Sequence, residues 1–297
     1  MHDFMRAVGF SQIKDKNEYQ KLMRAVLDEP TEVFMSPCSM KSAFGGMAKE
    51  YAPSMGIMAF GEFTPEADLE AEFYFPYLKG RTVTATEYIS VEKQPDKESY
   101  MGICDDLSLG VSIIFQLLNM KDYMEYSVQH EKILGKFPMV LSGLSLSGKI
   151  ILPIIKLDEH REIKRIEATH RNQMIAAARQ GDPEAIESLT LEDIDLYASV
   201  SSRAKTEDVL SIVESYFMPY GISYDQYSVM GNILSVDSLV NSITGEEIYR
   251  MKLECNDLVF DVCINKMDLF GEPEVGRRFR GNIWLQGIVD FSGNRFN

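Results

Sequence analysis

The chain has 297 residues, 45% apolar and 25% charged, with 45 Asp and Glu against 30 Lys and Arg. This composition excludes a disordered chain, a collagen-like fibre and a disulfide-stapled miniprotein. The net charge of −15 repels a phosphate backbone and disfavours generic nucleic-acid binding. Cys38, Cys104, Cys255 and Cys263 form no C-x-x-C pair and no zinc spacing, so they read as reduced thiols of a cytoplasmic protein. Cys38, flanked by Pro and Ser, is expected to be the accessible one. The N-terminal MHDFMRAVGFSQIKDKNEYQ lacks a secretory pattern, and the apolar runs at 110–120 and 149–156 fall short of the ~20 residues of a membrane span. No membrane partner is expected.

In chain order, Asn17 with Gln20 resembles a capping box, followed by Tyr19, Leu22, Met23 and Val26 at helical spacing, and Pro30 limits that helix. Leu69, Ala71, Phe73, Phe75 and Tyr77 alternate with polar residues as in a half-buried strand, and 82–91 is β-branched. Runs at 111–118 and 137–155 are strand-like, with a short helix over 119–128 between them. Residues 158–181 place Ile163, Ile166, His170, Met174 and Ala177 on one helix face, ended by Gly181. Asp182-Pro183, Thr190 and Thr206-Glu207-Asp208 each predict a further helix start, the last helix running to Tyr216 before Pro219. Strands follow at 228–236, 246–255, 258–265 and 281–291, with Asn256-Asp257 as a hairpin turn. Gly271, Gly276, Gly281 and Gly287 suit bends in a small curled sheet. The reading is an α+β fold in three parts. Residues 1–155 form a domain with a mixed or antiparallel sheet and helices, 156–218 a helical segment, and 219–297 a small β-barrel-like domain. Their net charges are −6, −5 and −4, so acidity is spread evenly.

Several constellations could carry chemistry. Gly143, Gly148 and Lys149 satisfy G-x-x-x-x-G-K, but Ile150 stands where a hydroxyl should hold magnesium, and IILPII cannot begin a helix. The plainer reading is a β-hairpin with a Gly/Ser turn. Glu167-x-x-His170 has the spacing of a bundle metal site, but its partners are missing and His160 is ~15 Å away along a helix. No metal or cofactor is implied, and His170 reads as a core histidine. There is no G-x-S-x-G elbow. Glu87 shares a face with Val83, Ala85, Ile89 and Val91, so a bulge or edge position re-aims it, or it lines a polar pocket. Finally, Arg277, Arg278, Arg280 and Trp284 gather near Glu272, the residue types of binding hot spots and anion recognition. Pairing of the arginines with Glu272 and Glu274, with Trp284 packed in the small barrel, is the structural alternative.

The segment CNDLVFDVCINKMDLFGEPEVGRRFRGNIWLQG, with MHDFMRAVGFSQI at the start, resembles an uncharacterised family of ~300-residue proteins from clostridial-type anaerobic bacteria, classed as a domain of unknown function. The resemblance implies a bacterial protein and carries over no activity or catalytic residue. The sequence therefore points to a non-catalytic binding or assembly protein whose partner is a protein, a second copy or a small anionic ligand. The rival is a hydrolase or nucleotide-binding enzyme using Glu87 or the Gly143–Lys149 stretch.

Overall fold

A computed structural model describes residues 2–292, apart from 14, 38–42, 67, 95–98, 107–110, 131–134, 155–169, 172, 176, 179, 180, 204, 206 and 207. About 50% of the chain is strand and 23% helix, an α+β composition weighted toward sheet.

A 3-10 turn, Asp3–Val8, buries Phe4, Met5, Ala7 and Val8. Helix α1 (Lys16–Asp28) follows, with Leu22, Met23 and Val26 buried. Its cap is Asp15, not Asn17: the Asp15 carboxylate accepts from the Glu18 amide at 2.8 Å. Strands β1 (Glu32–Pro37), β2 (Ala43–Ala52), β3 (Met55–Phe63) and β4 (Leu69–Leu78) form an antiparallel meander, with α1 packed on β2 and β3.

The second sheet has ten strands. It contains β5 (Ala85–Lys93), β6 (Tyr100–Asp106), β7 (Val111–Leu117) and β8 (Lys136–Ile151), with helix α2 (Met120–Gln129) between β7 and β8. It also contains β9 (Tyr216–Pro219), β10 (Gln226–Val240), β11 (Glu247–Cys255), β12 (Leu258–Asn265), β13 (Leu269–Phe270) and β14 (Arg278–Val289). Asn256 and Asp257 both adopt positive φ between β11 and β12, as the hairpin signal predicts.

The pairing pattern has an unusual centre. β8 and β14 pair antiparallel from Met139–Val289 to Ile151–Arg278. Along its other edge β8 pairs first with β5 and then, in parallel, with β12. β14 pairs with β10 through Trp284 and then, in parallel, with β7 at Gln286 and Gly287. β5–β6–β7 and β12–β11–β10 complete the connections. Two closed circuits of five strands therefore share one long ribbon. Tyr227 on β10 reinforces the short β7 junction: its hydroxyl accepts from Ile114 N at 2.7 Å and donates to Ile114 O at 3.2 Å.

Each circuit turns apolar side chains inward. Phe115 and Leu117 of β7, Met139 and Leu141 of β8, Leu253 of β11, Phe260 and Val262 of β12 and Phe279 of β14 belong to one continuous buried cluster. Alternate residues of the ribbon, including Leu144, Trp284 and Ile288, point instead at the meander and pack with Phe60, Phe75 and Leu78. Polar atoms lock this second interface. Gln286 is fully buried; its Nε2 donates to Pro76 O at 2.8 Å and its Oε1 accepts from Leu78 N at 3.0 Å. Ser142 Oγ donates to Leu78 O at 2.6 Å. The ribbon thereby supplies strand-like partners to the edge of β4.

Between β8 and β9 the described residues from 170 to 212 belong to no strand. Residues 170–178 are helical where described, and Gly181 adopts φ +87°. The amide of Asp182 donates to Ala177 O and that of Gly181 to Ala178 O, a Schellman ending. The Asp182 side chain then caps α3 (Pro183–Arg203), as predicted. Thr190 does not start a new helix: α3 runs through it, and its hydroxyl bonds back to Ile186 O. The next helix, α4 (Val209–Ile212), is capped by Asp208 and stops well before Tyr216, which opens β9.

Replacing Gln286 with Ala strands the Leu78 N–H and Pro76 C=O in an apolar interface. A loss of about 3 kcal/mol in urea unfolding is expected. A loss below about 0.5 kcal/mol would show that the amide does not join the sheets.

Candidate functional site

The Arg/Trp cluster disperses in the fold. Arg277 lies at the surface, 2.8 Å from Glu274, and donates to the backbone carbonyl of Glu272 at 2.9 Å. The Glu272 carboxylate accepts from Tyr249 Oη at 3.4 Å. Arg280 is exposed and donates to Tyr216 Oη at 3.0 Å. Trp284 belongs to the inter-sheet core. It lies 5.5 Å from Phe4 and 5.9 Å from Phe75, and its indole donates to Asp225 Oδ2 at 2.6 Å.

Arg278 goes furthest from expectation. Its residue is 3% exposed, and among the described residues its guanidinium donates to backbone carbonyls. Nε and Nη2 reach Leu152 O at 3.1 and 2.9 Å, Nη1 reaches Val213 O at 2.9 Å, and Nη2 reaches Leu210 O at 2.8 Å. Burial pulls its pKa below the ordinary guanidinium value, partly opposed by Glu214. The carbonyls it holds lie on opposite sides of the 153–209 excursion. Arg278 is thus the fastener of that excursion's two ends, which nothing in the local sequence announces.

Gly143, Gly148 and Lys149 lie inside continuous β8, so both the phosphate loop and the Gly/Ser turn are overturned. The glycines make room for side chains of β14. A Cβ on Gly148 would meet the Phe279 ring at 2.4 Å, and one on Gly143 would meet Ile283 at 2.9 Å. Lys149 is exposed. Glu87 needs no bulge, since the β5–β8 register runs unbroken and Lys136 Nζ satisfies the carboxylate at 2.8 Å. Glu87 stands opposite Phe137, ~40 Å along β8 from Lys149, so these residues share no pocket. His170 is exposed rather than in the core. His160, Glu167 and Cys38 lie outside the described residues.

Sequence reasoning missed one charged cluster. Arg81 donates to Asp261 through its backbone amide and Nη2, both at 2.8 Å, and to Asp237 through Nη1 at 2.8 Å. Arg250 Nε meets the same Asp237 oxygen at 3.1 Å, and its Nη1 meets Pro53 O at 3.1 Å. Burial pushes Asp237 upward, but hydrogen bonds from both arginines outweigh it and hold the carboxyl below its ordinary range. Two cations and two anions satisfy each other, which suits a staple tying the loop after β4 to strands β10, β11 and β12. A shallow hollow between Phe34, Phe44, Phe60, Met120 and Met124 has no room for a water-sized molecule. It is smaller than the ~300–1,000 Å³ of ordinary ligand sites.

One exposed apolar surface is on the excursion. Arg171 Nη1 pairs with Glu192 at 3.1 Å, joining the 170–178 helix to α3. That side of α3 also carries buried Ala185 and half-buried Leu189. The opposite side exposes Ile186 at 48% and Leu191 and Ile194 at 58% each. Among the described residues, α3 makes no extended packing contact with either sheet.

The buried thiols are unsuited to chemistry. Cys255 Sγ donates to Tyr216 O and Met230 O, and burial raises its pKa to about 12. Burial also raises Tyr227 to about 12 and Cys263 further. The folded protein therefore keeps protons that the unfolded chain releases above about pH 9. Urea midpoints should fall steadily from pH 9 to 11, and Cys255→Ala should reduce that slope. A midpoint independent of pH across this range would refute the assignment. No helix among the described residues is long and apolar enough to cross a membrane.

No curated protein and no solved structure matches the chain. One family model does, over residues 5–287, which include the meander, all but the last two residues of β14 in the second sheet, Arg278 and α3. With nearly its whole length matched, the chain belongs to the family described as "Domain of unknown function, E. rectale Gene description (DUF3881)".

Proposed function

We propose that this is a non-catalytic, cytoplasmic protein-binding protein. In this reading the two strand circuits, the C-terminal one barrel-like, form a rigid platform, and the helices described within the 153–209 excursion are a docking arm. The observation that carries the reading is α3, with large apolar side chains exposed on the side away from its sister helix. The fate of the polar groups supports it. Arg277, Arg278, Trp284, Glu87 and the Arg81 cluster are each held by protein partners, which removes the clustered cations that a small anionic ligand would need. The reduced thiols suit a cytoplasmic setting.

Excision tests this directly. Leu152 O and Leu210 O both accept from the same Arg278 nitrogen, so a short Gly/Ser linker can replace residues 153–209. The shortened protein should unfold within about 5 °C of the intact one. It should also lose the partners that co-purify with the intact protein from its native cells. Undiminished recovery of those partners would refute the docking role.

A further inference from the structure

Between Asp182 and Ser202 the chain carries six acidic residues and no Lys or Arg. On the exposed side of α3, Leu191, Ile194 and Ala198 follow at spacings of three and four, with Ile186 beside them, and Glu184 and Glu187 line the N-terminal end. That is the pattern of a helix face read by another helix through i, i+3, i+7 anchors. The charges choose between occupants. A second copy laid α3 against α3 would set acid against acid across a low-dielectric seam, which is penalised. An anionic lipid surface is repelled for the same reason. A cationic amphipathic helix instead brings apolar anchors to Leu191 and Ile194 and positive side chains to Glu184 and Glu187.

We infer that the outer face of α3 docks a basic amphipathic helix of a partner protein. The inference rests on the reading of the excursion as a docking arm and adds the chemistry of what docks there.

The probe is a fluorescein-labelled 18-residue peptide with leucines at heptad a and d positions and lysines elsewhere. Its control has glutamate in place of lysine. With the full-length protein, anisotropy should show saturable binding of the lysine peptide that weakens with added salt, and none of the glutamate peptide. Leu191→Ser with Ile194→Ser should weaken binding at least tenfold. Tyr220→Ser with Ile222→Ser, which alters another exposed apolar site where Ile222 is 99% exposed, should leave it unchanged. Glu184→Lys with Glu187→Lys should shift preference toward the glutamate peptide while leaving the helical circular dichroism intact. Equal binding of the two peptides, or equal losses in the two serine variants, would overturn the inference. The docking-arm reading itself fails only if the excised protein keeps its native partners, so the two failures are distinguishable.

Discussion

The antiparallel ribbon of β8 and β14 is the constraint on which the fold depends. Its strands come from opposite sides of the 153–209 excursion, yet they pair from Met139 to Ile151. Because different strands join its two halves on each edge, one ribbon closes two circuits and leaves few free edges. Its side chains alternate between circuit interior and inter-sheet core. Trp284 therefore packs on Phe75 while Leu285, the next residue, is buried inside a circuit. Gln286 and Ser142 then use the same ribbon to satisfy the backbone of β4. Such long-range pairing carries a large loop-closure cost during folding, so the ribbon is expected to form late and cooperatively.

Groups that look chemically active in isolation are spent on this architecture. A buried guanidinium is costly, and Arg278 is tolerated because hydrogen bonds to three backbone carbonyls engage four of its five donors. Two of those carbonyls, Leu210 and Val213, lie in or just after α4, where helix geometry leaves acceptors open. The same residue that resembles an anion-binding arginine thus holds an inserted helical pair to the body. The Arg81–Asp261 contact spans 180 positions of sequence and likewise ties a loop after β4 to β12.

Much of the fold was legible because periodicity is local. The alternation of β4, the Asp182 cap and the Asn256-Asp257 turn are each decided by neighbouring residues. β2 and β3 escaped because Gly45, Gly46, Gly56 and Gly61 interrupt the β-branched signal. These glycines exist to admit the Phe34 and Phe63 rings and facing backbone, which only the assembled sheet reveals. The Gly148-Lys149 motif misled for the same reason: the need for glycine came from the Phe279 ring of a strand far away in sequence. The outer face of α3 was not legible, because a helix start read at Thr190 separates Ile186 from Leu191 and Ile194, and neither was the side that its sister helix covers. That is decided by the Arg171–Glu192 pair and the burial of Ala185.

A ribbon shared by two circuits makes the strands one cooperative body, distinct from α3, and native-state hydrogen exchange measures this distinction residue by residue. Amides of β8 and β14 in both circuits should exchange only through global unfolding, with one shared free energy. Amides of α3 should open at a markedly lower free energy without disturbing them. Exchange of α3 at the ribbon's own free energy, or two separate free energies for the two circuits, would contradict the account.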